Sequence, residues 1–470
     1  MKIEKPKFVA DVEFKNSVNV QSSKEWNWIH PTKGQFDFPA NYYESSLVDW
    51  HQFPQLNADL ECDVVVIGGG LLGTSTALHL SEQGVDTILL EKNRIGGAAS
   101  GRNGGQLTPG LARWEAGEMI EHFSYADAKK LWHFTSTEAM SLIDQIQDRY
   151  QLDLQRKRGH ITAAVHEGHL VGLTQGADAR KFLGEAHTTI VGKHELQAHI
   201  ASDNYCGGLI DSLGGHIHPL ALNRGLAYGF CQNGGKIYEQ TEVLSVEERE
   251  DGVYVTTTQG VIKARKSVVM GVHHASFKLL KQNNQTTIPF YTYVCTTAPL
   301  EVDLKELLPT DAPVYDTQFQ IDYYRGVSEN RLLFGGEGTG SCWNPDKTYQ
   351  YLLGRIKHVF PQLKSVELDF VWSGTTDLTM NGAADSRKFG HKFPIYAVQG
   401  WSGHGVAQTV RIGKAIADDF CGQADDFNML TSIQHKDILF GRALAPLVIP
   451  MAKSAYGLGA LVNPGKMVSF

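Results

Sequence analysis

Asp63-Val-Val-Val-Ile-Gly68-Gly-Gly70-Leu-Leu-Gly73 decides the fold. Its apolar first half reads as a strand that runs straight into G-x-G-x-x-G. A helical segment follows, then Thr87-Ile-Leu-Leu90 closed by Glu91, 18 residues past Gly73. This strand, turn, helix and strand form the first half of a dinucleotide-binding βαβ unit. Each glycine has its own task. Gly68 permits the tight turn, Gly70 lets backbone approach a pyrophosphate, and Gly73 lets helix and strand pack closely. The pyrophosphate would meet the helix start near Leu72, where unpaired N–H groups and the positive dipole end point at it. Glu91, followed by Lys92, stands where a carboxylate accepts ribose hydroxyls, which favours FAD or NAD over NADP. A chain with 48 glycines produces chance glycine motifs. The flanking strand, helix and carboxylate in the right order are what set this one apart.

Two further segments fit a flat, polar ligand. Ala98-Ala-Ser100-Gly101-Arg102-Asn103-Gly104-Gly105-Gln106 mixes small residues with hydrogen-bonding ones shortly after Glu91. By itself it also reads as a flexible loop. Gly400-Trp-Ser-Gly403-His404-Gly405-Val406 opens the helical 407–420. Its helix start offers N–H donors to negative charge, although a tight turn with a surface histidine reads the same way.

Composition bounds the rest. A chain of 470 residues exceeds one ordinary core, so two or three domains are expected. Hydrophobic residues at 42% and charged residues at 20% are globular values. A net charge of −8 disfavours nucleic acid as a partner. The six cysteines form no C-x-x-C, and neither they nor His273-His274 show metal-ligand spacing, so no metal is expected. The first residues lack the apolar core of a signal peptide, and the expected location is the cytoplasm. No run of 18 apolar residues occurs, so no transmembrane segment is expected. The most apolar tract, Ala443 to Met451, is broken by Pro446 and Pro450 and reads as a short buried segment.

Along the chain, residues 1–55 read as an arm carrying Trp26, Trp28, Tyr42 and Tyr43. The fold class is α/β. A discontinuous Rossmann-like domain spans 56–125, 205–285 and 370–425. Residues 126–204 and 286–369 form a domain on an antiparallel sheet, and 426–470 form a C-terminal segment. Helical spacing predicts a helix over 126–150, and 151–204 reads as short strands and helical turns. His218-Pro219 opens a helix that Asn233-Gly-Gly ends. Strands follow over 242–248, 253–258, 261–264 and 267–270.

Residues 63–106, 215–241, 268–271, 331–336 and 396–418 together resemble the D-amino-acid-oxidase-like FAD oxidoreductases. Within that family, the Tyr42-Tyr43 arm, 99–106 and Gly403-His-Gly-Val406 are most similar to the γ-glutamylputrescine oxidase type. The resemblance covers roughly residues 40–440. It implies an FAD-binding fold of the glutathione-reductase type with an inserted substrate domain. It implies a cofactor set of Gly68, Gly70, Leu72, Gly73, Glu91, Lys92, Ser100, Arg102, Asn103, Gly104, Gly105, Gln106, Val243, Gly403, His404, Gly405 and Val406. Val243 would meet the adenine, and 403–406 the flavin pyrimidine edge. Tyr293, Tyr324, Arg325 and His404 are the expected substrate-lining residues, with Arg325 meeting a distant carboxylate.

The implied reaction is oxidation of a C–N bond of a small amine. A γ-glutamylated amine would give aldehyde, ammonia and peroxide, with oxygen or another acceptor taking the electrons. A D-amino-acid, glycine or N-methyl-amino-acid oxidase or dehydrogenase is the alternative, and a non-catalytic FAD-binding protein is a third. Relatives with covalent flavin use a cysteine near 372–379; none stands there, so non-covalent FAD is expected. Sarcosine oxidases use a lysine to help oxygen react, and 321–342 holds none.

Overall fold

Leu60–Ile67 runs through the middle of the first sheet because both its faces are apolar, and Val64, Val65 and Val66 are wholly buried. The computed structural model describes residues 3–12, 41–280, 286–438 and 441–466. Trp26 and Trp28 lie outside the described residues. The first sheet follows the spatial order Asp385–Phe389, Ile395–Gln399, Val261–Met270, Leu60–Ile67, Thr87–Leu90, Lys236–Tyr238. Its four pairings from Ile395–Gln399 to Lys236–Tyr238 are parallel, as βαβ crossovers require. Val243–Arg249 and Gly252–Thr257 form the expected meander that feeds Val261–Met270.

The helix Leu71–Glu82 is buried over nearly its whole length. It lies between Pro219–Gln232 and Val406–Phe420. Small residues allow the approach: a Cβ on Gly413 would stand 2.8 Å from Ser75 Cβ, and Ser75 Oγ donates to the Val410 carbonyl at 2.7 Å. Pro219 opens its helix at the first position, with His218 Nδ1 accepting the Ala221 N–H at 3.1 Å.

Among the described residues the second sheet has nine strands. Its path runs Leu368–Thr379, Thr287–Thr297, Arg331–Thr339, Asp322–Val327, Val314–Asp316, Lys157–Ala164, Gly207–His216, Gln106–Leu107. All its pairings are antiparallel except Val314–Asp316 with Lys157–Ala164. The predicted 126–150 helix occurs as Tyr125–His133 and Ala139–Tyr150 joined by a π-turn at Phe134–Glu138. That wider turn leaves the Thr135 carbonyl free to accept from Gly110 N–H and Gln408 Nε2.

Several sequence expectations are corrected. Residues 207–216 and 370–379, expected in the nucleotide domain, belong to strands of the second sheet, Gly207–His216 and Leu368–Thr379. Strand partners are non-local, and a glycine-rich apolar run carries no mark of which sheet it joins. Val261–Met270 is one strand, with the break expected at Arg265-Lys266 absorbed as a register shift. Glu167–Phe182 is a 16-residue helix where only helical turns were expected. Tyr42 and Tyr43 of the arm are both buried.

The C-terminal tract also differs. Gly441–Val462 is one helix of 22 residues that continues through Pro446 and Pro450. Ala445 and Ile449 pack with Ile288 and Phe290, while Leu447, Met451, Leu458 and Leu461 are exposed. Both prolines sit on its exposed side, where ring and lost N–H do not disturb packing. Its stretch Ala443–Val462 is long and apolar enough to cross a membrane by length and composition. The expectation of a short, buried segment is therefore wrong.

Candidate active site and cofactor cradle

A cavity opens between the two sheets, and the three sequence segments meet on its wall. At the first turn, Gly68 has φ +105°, and a Cβ there would stand 2.6 Å from the Gly271 carbonyl oxygen. A Cβ on Gly73 would lie 1.9 Å from the Gly68 oxygen, so this residue seats the helix on its strand. Gly70 caps that helix, and Ser100 Oγ accepts the Leu71 N–H at 2.9 Å. Ser100 thereby fastens the 98–106 loop to the helix start. Glu91 accepts the N–H of Gly69 and of Asn93, each at 2.6 Å. Burial pushes its carboxyl above the usual range, and these two donors pull it back. Thr241 N–H donates to the Glu91 carbonyl at 2.9 Å, which holds the start of the Val243 strand beside it. Lys92 pairs with Glu242 at 2.9 Å.

The 98–106 loop is fixed by its own polar groups. Asn103 Nδ2 donates to the Ala99 and Ser100 carbonyls, and Asn103 Oδ1 accepts the Gly105 N–H at 2.8 Å. Arg102 is buried; its Nε donates to the Ser373 carbonyl, and Trp372 Nε1 donates to the Arg102 carbonyl at 2.7 Å. Burial lowers the Arg102 pKa to about 10. Gln106 Nε2 donates to the Val314 carbonyl at 2.9 Å.

On the opposite side, the helix Val406–Phe420 begins at Gly405 on the cavity wall. Its first N–H groups have no partner within the helix. A Cβ on Gly403 or Gly374 would meet nothing within 4 Å, so both leave room against the wall. His404 Nδ1 is covered and has no hydrogen-bond partner among the described residues. Burial holds the imidazole below its usual pKa, hence neutral. His273 also lines the cavity, 3.5 Å from the buried Asp377 carboxylate; the side chain of His274 lies outside the described residues. Two helix starts, a glycine cradle, a buried carboxylate at the end of the second strand and an orphan polar atom fit a dinucleotide carrying a flat ring.

The wall away from the helix starts comes from the second sheet and the C-terminal helix. Tyr323 is fitted between two glycines: a Cβ on Gly104 or Gly335 would stand 2.7 or 2.3 Å from its ring. Phe290 lines the same wall. Phe319 also lines it and stacks on Tyr456 of the C-terminal helix at 4.1 Å. Glu337 and Lys453 form an ion pair on this wall.

Residues 63–419 match the family described as DAO, FAD dependent oxidoreductase. The chain belongs to that family. The oxidoreductase is 33% identical over 420 residues to the gamma-glutamylputrescine oxidoreductase of Escherichia coli strain K12, covering 89% of this chain and 97% of that protein. It is 26% identical over 373 residues to a glycine oxidase of Bacillus licheniformis, covering 77% and 93%. Among solved structures, the glycine oxidase of Geobacillus kaustophilus superposes with a TM-score of 0.63 at 20% identity, over 76% of this chain and 94% of that one. That likeness shows the fold alone. FAD is the cofactor of this oxidoreductase; when bound it supplies the two-electron acceptor.

The predicted cofactor residues fall into two groups. Gly70, Leu72, Ser100, Arg102, Asn103, Gly104, Gly105, Gln106, Gly403, His404, Gly405 and Val406 line the cavity. Gly68, Gly73, Glu91, Lys92 and Val243 stand outside its lining, the two glycines by shaping the turn. Of the four expected substrate-lining residues, only His404 is there. Tyr324 stacks on Phe334 and donates to Tyr205 Oη at 3.0 Å on the opposite face of its strand. Tyr293 bonds Thr339 and the Trp343 N–H. Arg325 is spent on Gly104, His216, Tyr43 and Ile217. The period-two alternation of a strand puts Tyr323, not Tyr324, on the cavity. Sequence reasoning missed Glu337 and Lys453. Glu337 left a signal, a lone carboxylate inside Gly335-Gly-Glu-Gly338, whereas Lys453 left none.

Proposed function

We propose that this oxidoreductase oxidises the primary amine of a γ-glutamylated diamine. The carbon bearing the amine loses a hydride and the nitrogen a proton, and water then converts the imine to aldehyde and ammonia. Oxygen is the proposed final acceptor, giving hydrogen peroxide. The observation that carries the reading is the 33% identity to the gamma-glutamylputrescine oxidoreductase over nearly the full length of both proteins. The cavity supports it. The amine must be neutral to release hydride, and the apolar side chains of Phe290, Phe319 and Tyr323 disfavour an ammonium ion wherever no carboxylate faces it. A clamp for an α-carboxylate beside the ring calls for an available arginine, and Arg325 is committed elsewhere.

In the same reading FAD is held non-covalently, since no cysteine lines the cavity among the described residues. Glu91 takes the adenosine ribose and Val243 the adenine by its backbone. The 98–106 loop and 403–406 hold the flavin. The test is anaerobic mixing of the holoenzyme with an amine panel, followed by loss of flavin absorbance. γ-Glutamylated diamines should reduce it far faster than free diamines, glycine, sarcosine or D-alanine. Rapid reduction by glycine or sarcosine alone would move the assignment to an amino-acid oxidase. Peroxide yield in air separates oxidase from dehydrogenase.

A further inference from the structure

Glu337 occupies an unusual position. Thr292 pairs with Gly338 and Tyr293 with Gly336, so Glu337 is the extra residue of a β-bulge. Its φ is +64°, in the left-handed region that costs a non-glycine residue free energy. Glycines on both sides would take that conformation at no such cost. The bulge instead turns a carboxylate onto the cavity wall, where its side chain is only 4% exposed.

The carboxylate is held by polar partners. Gln320 Nε2 donates to Oε1 at 3.0 Å, and Lys453 Nζ donates to the same oxygen. A carboxylate offers about four acceptor positions and an ammonium three donors, so both partners of the ion pair keep capacity for a ligand. Lys453 comes from Gly441–Val462, a helix that begins beyond the end of the family match at residue 419. The Phe319–Tyr456 stack and the seat of Ala445 and Ile449 on Ile288 and Phe290 hold that helix against the wall.

We infer that Glu337 and Lys453 form a subsite for a zwitterion, the α-amino-acid end of the substrate, with Glu337 taking its ammonium and Lys453 its carboxylate. A paired wall of opposite charges accepts a ligand of opposite charges without burying net charge. The inference rests on the γ-glutamyl reading above and adds where the glutamyl end is recognised.

The test uses holoenzyme and three ligands that share one reacting amine: γ-glutamylputrescine, its glutaryl analogue lacking the α-amino group, and its 4-aminobutanoyl analogue lacking the α-carboxylate. Dissociation constants come from the concentration dependence of anaerobic flavin reduction. Either deletion should weaken binding about ten- to hundredfold, the range for a hydrogen bond to a charged group. Glu337→Gln should reproduce the loss only for ligands that carry the α-ammonium, and Lys453→Met only for those that carry the carboxylate. Equal binding of all three ligands by the unaltered enzyme would overturn the subsite and leave the γ-glutamyl reading standing. So would losses that fail to follow the matching group. No reduction by γ-glutamylputrescine, with rapid reduction by glycine, would overturn both.

Discussion

Arg325 Nη2 donates to the Tyr43 hydroxyl across 3.1 Å, and this bond joins the N-terminal arm to the strand beneath the 98–106 loop. The same guanidinium donates to the carbonyls of Gly104 at 2.7 Å and Ile217 at 3.1 Å. Its Nη1 donates to His216 Nδ1, whose pKa burial and this cation hold well below the ordinary value. Tyr43 in turn meets Trp372 edge-on at 5.8 Å, so arm, loop and second sheet converge here. Arg325→Ala should therefore behave as a structural change. Leaving several buried acceptors unpaired costs about 3 kcal/mol or more. Urea denaturation should show that loss, together with weaker FAD retention. A lower affinity for substrate with stability intact would return Arg325 to the substrate site.

Gly73 has no room for a methyl group. A Cβ would stand 1.9 Å from the Gly68 carbonyl oxygen, a backbone atom that cannot rotate away. Gly73→Ala must push the helix Leu71–Glu82 off its strand, at about 1–3 kcal/mol for an overpacked core site. The helix start would move with it. If that cost falls on the bound state, FAD affinity should drop about tenfold or more, since about 1.4 kcal/mol is tenfold in binding, as read by titrating apoprotein with FAD. An unchanged FAD dissociation constant would show that the turn yields more than its geometry implies.

Glu91→Ala removes the acceptor of two backbone N–H groups and the proposed ribose partner. FAD affinity should fall by about 1.5–3 kcal/mol, the range for hydrogen bonds to a charged group. Titration of apoprotein with FAD, followed by flavin fluorescence, gives the number. An unchanged dissociation constant would place the ribose elsewhere.

Glu239 supplies a pH signature. It is buried and accepts the N–H of Phe53 at 3.0 Å and of Ile95 at 2.7 Å. Burial raises its pKa from 4.5 to about 7 despite those donors. Between these values the folded chain holds a proton that the unfolded chain has lost. The Glu239 contribution is therefore present below pH 4.5 and is lost as pH rises towards 7. Relative to Glu239→Gln, the natural protein should lose about 2–3 kcal/mol between pH 5 and 7.5, at about 1.4 kcal/mol per pH unit. Urea denaturation of both proteins at the two pH values measures this. A difference that does not change with pH would mean that Glu239 is ionised throughout.

None of the described cysteines lines the cavity. Acid precipitation should release all the yellow colour, with the supernatant matching FAD rather than FMN. Colour that stays in the pellet would indicate a covalent bond.

Local chemistry determined the nucleotide half of this protein. Gly68, Gly70, Gly73 and Glu91 act within one βαβ unit, and the distance along the chain fixes their distance in space. The 98–106 loop and the 403–406 turn were legible for the same reason, as small and polar residues next to a helix start. The tertiary structure alone decided the cavity wall formed by the second sheet and the C-terminal helix. Gly207–His216 and Leu368–Thr379 join the second sheet through partners far away in sequence, which no local pattern encodes. The cavity takes Tyr323 rather than Tyr324 because strand register sets which face each side chain occupies. Glu337 reaches it through a bulge that exists only against Thr292 and Tyr293. Lys453 reaches it because a helix with an apolar stripe of Ala445 and Ile449 found a seat on Ile288 and Phe290. Binding a cofactor by backbone and helix ends is a local property, whereas choosing a substrate depends on side chains from distant segments that meet only after folding.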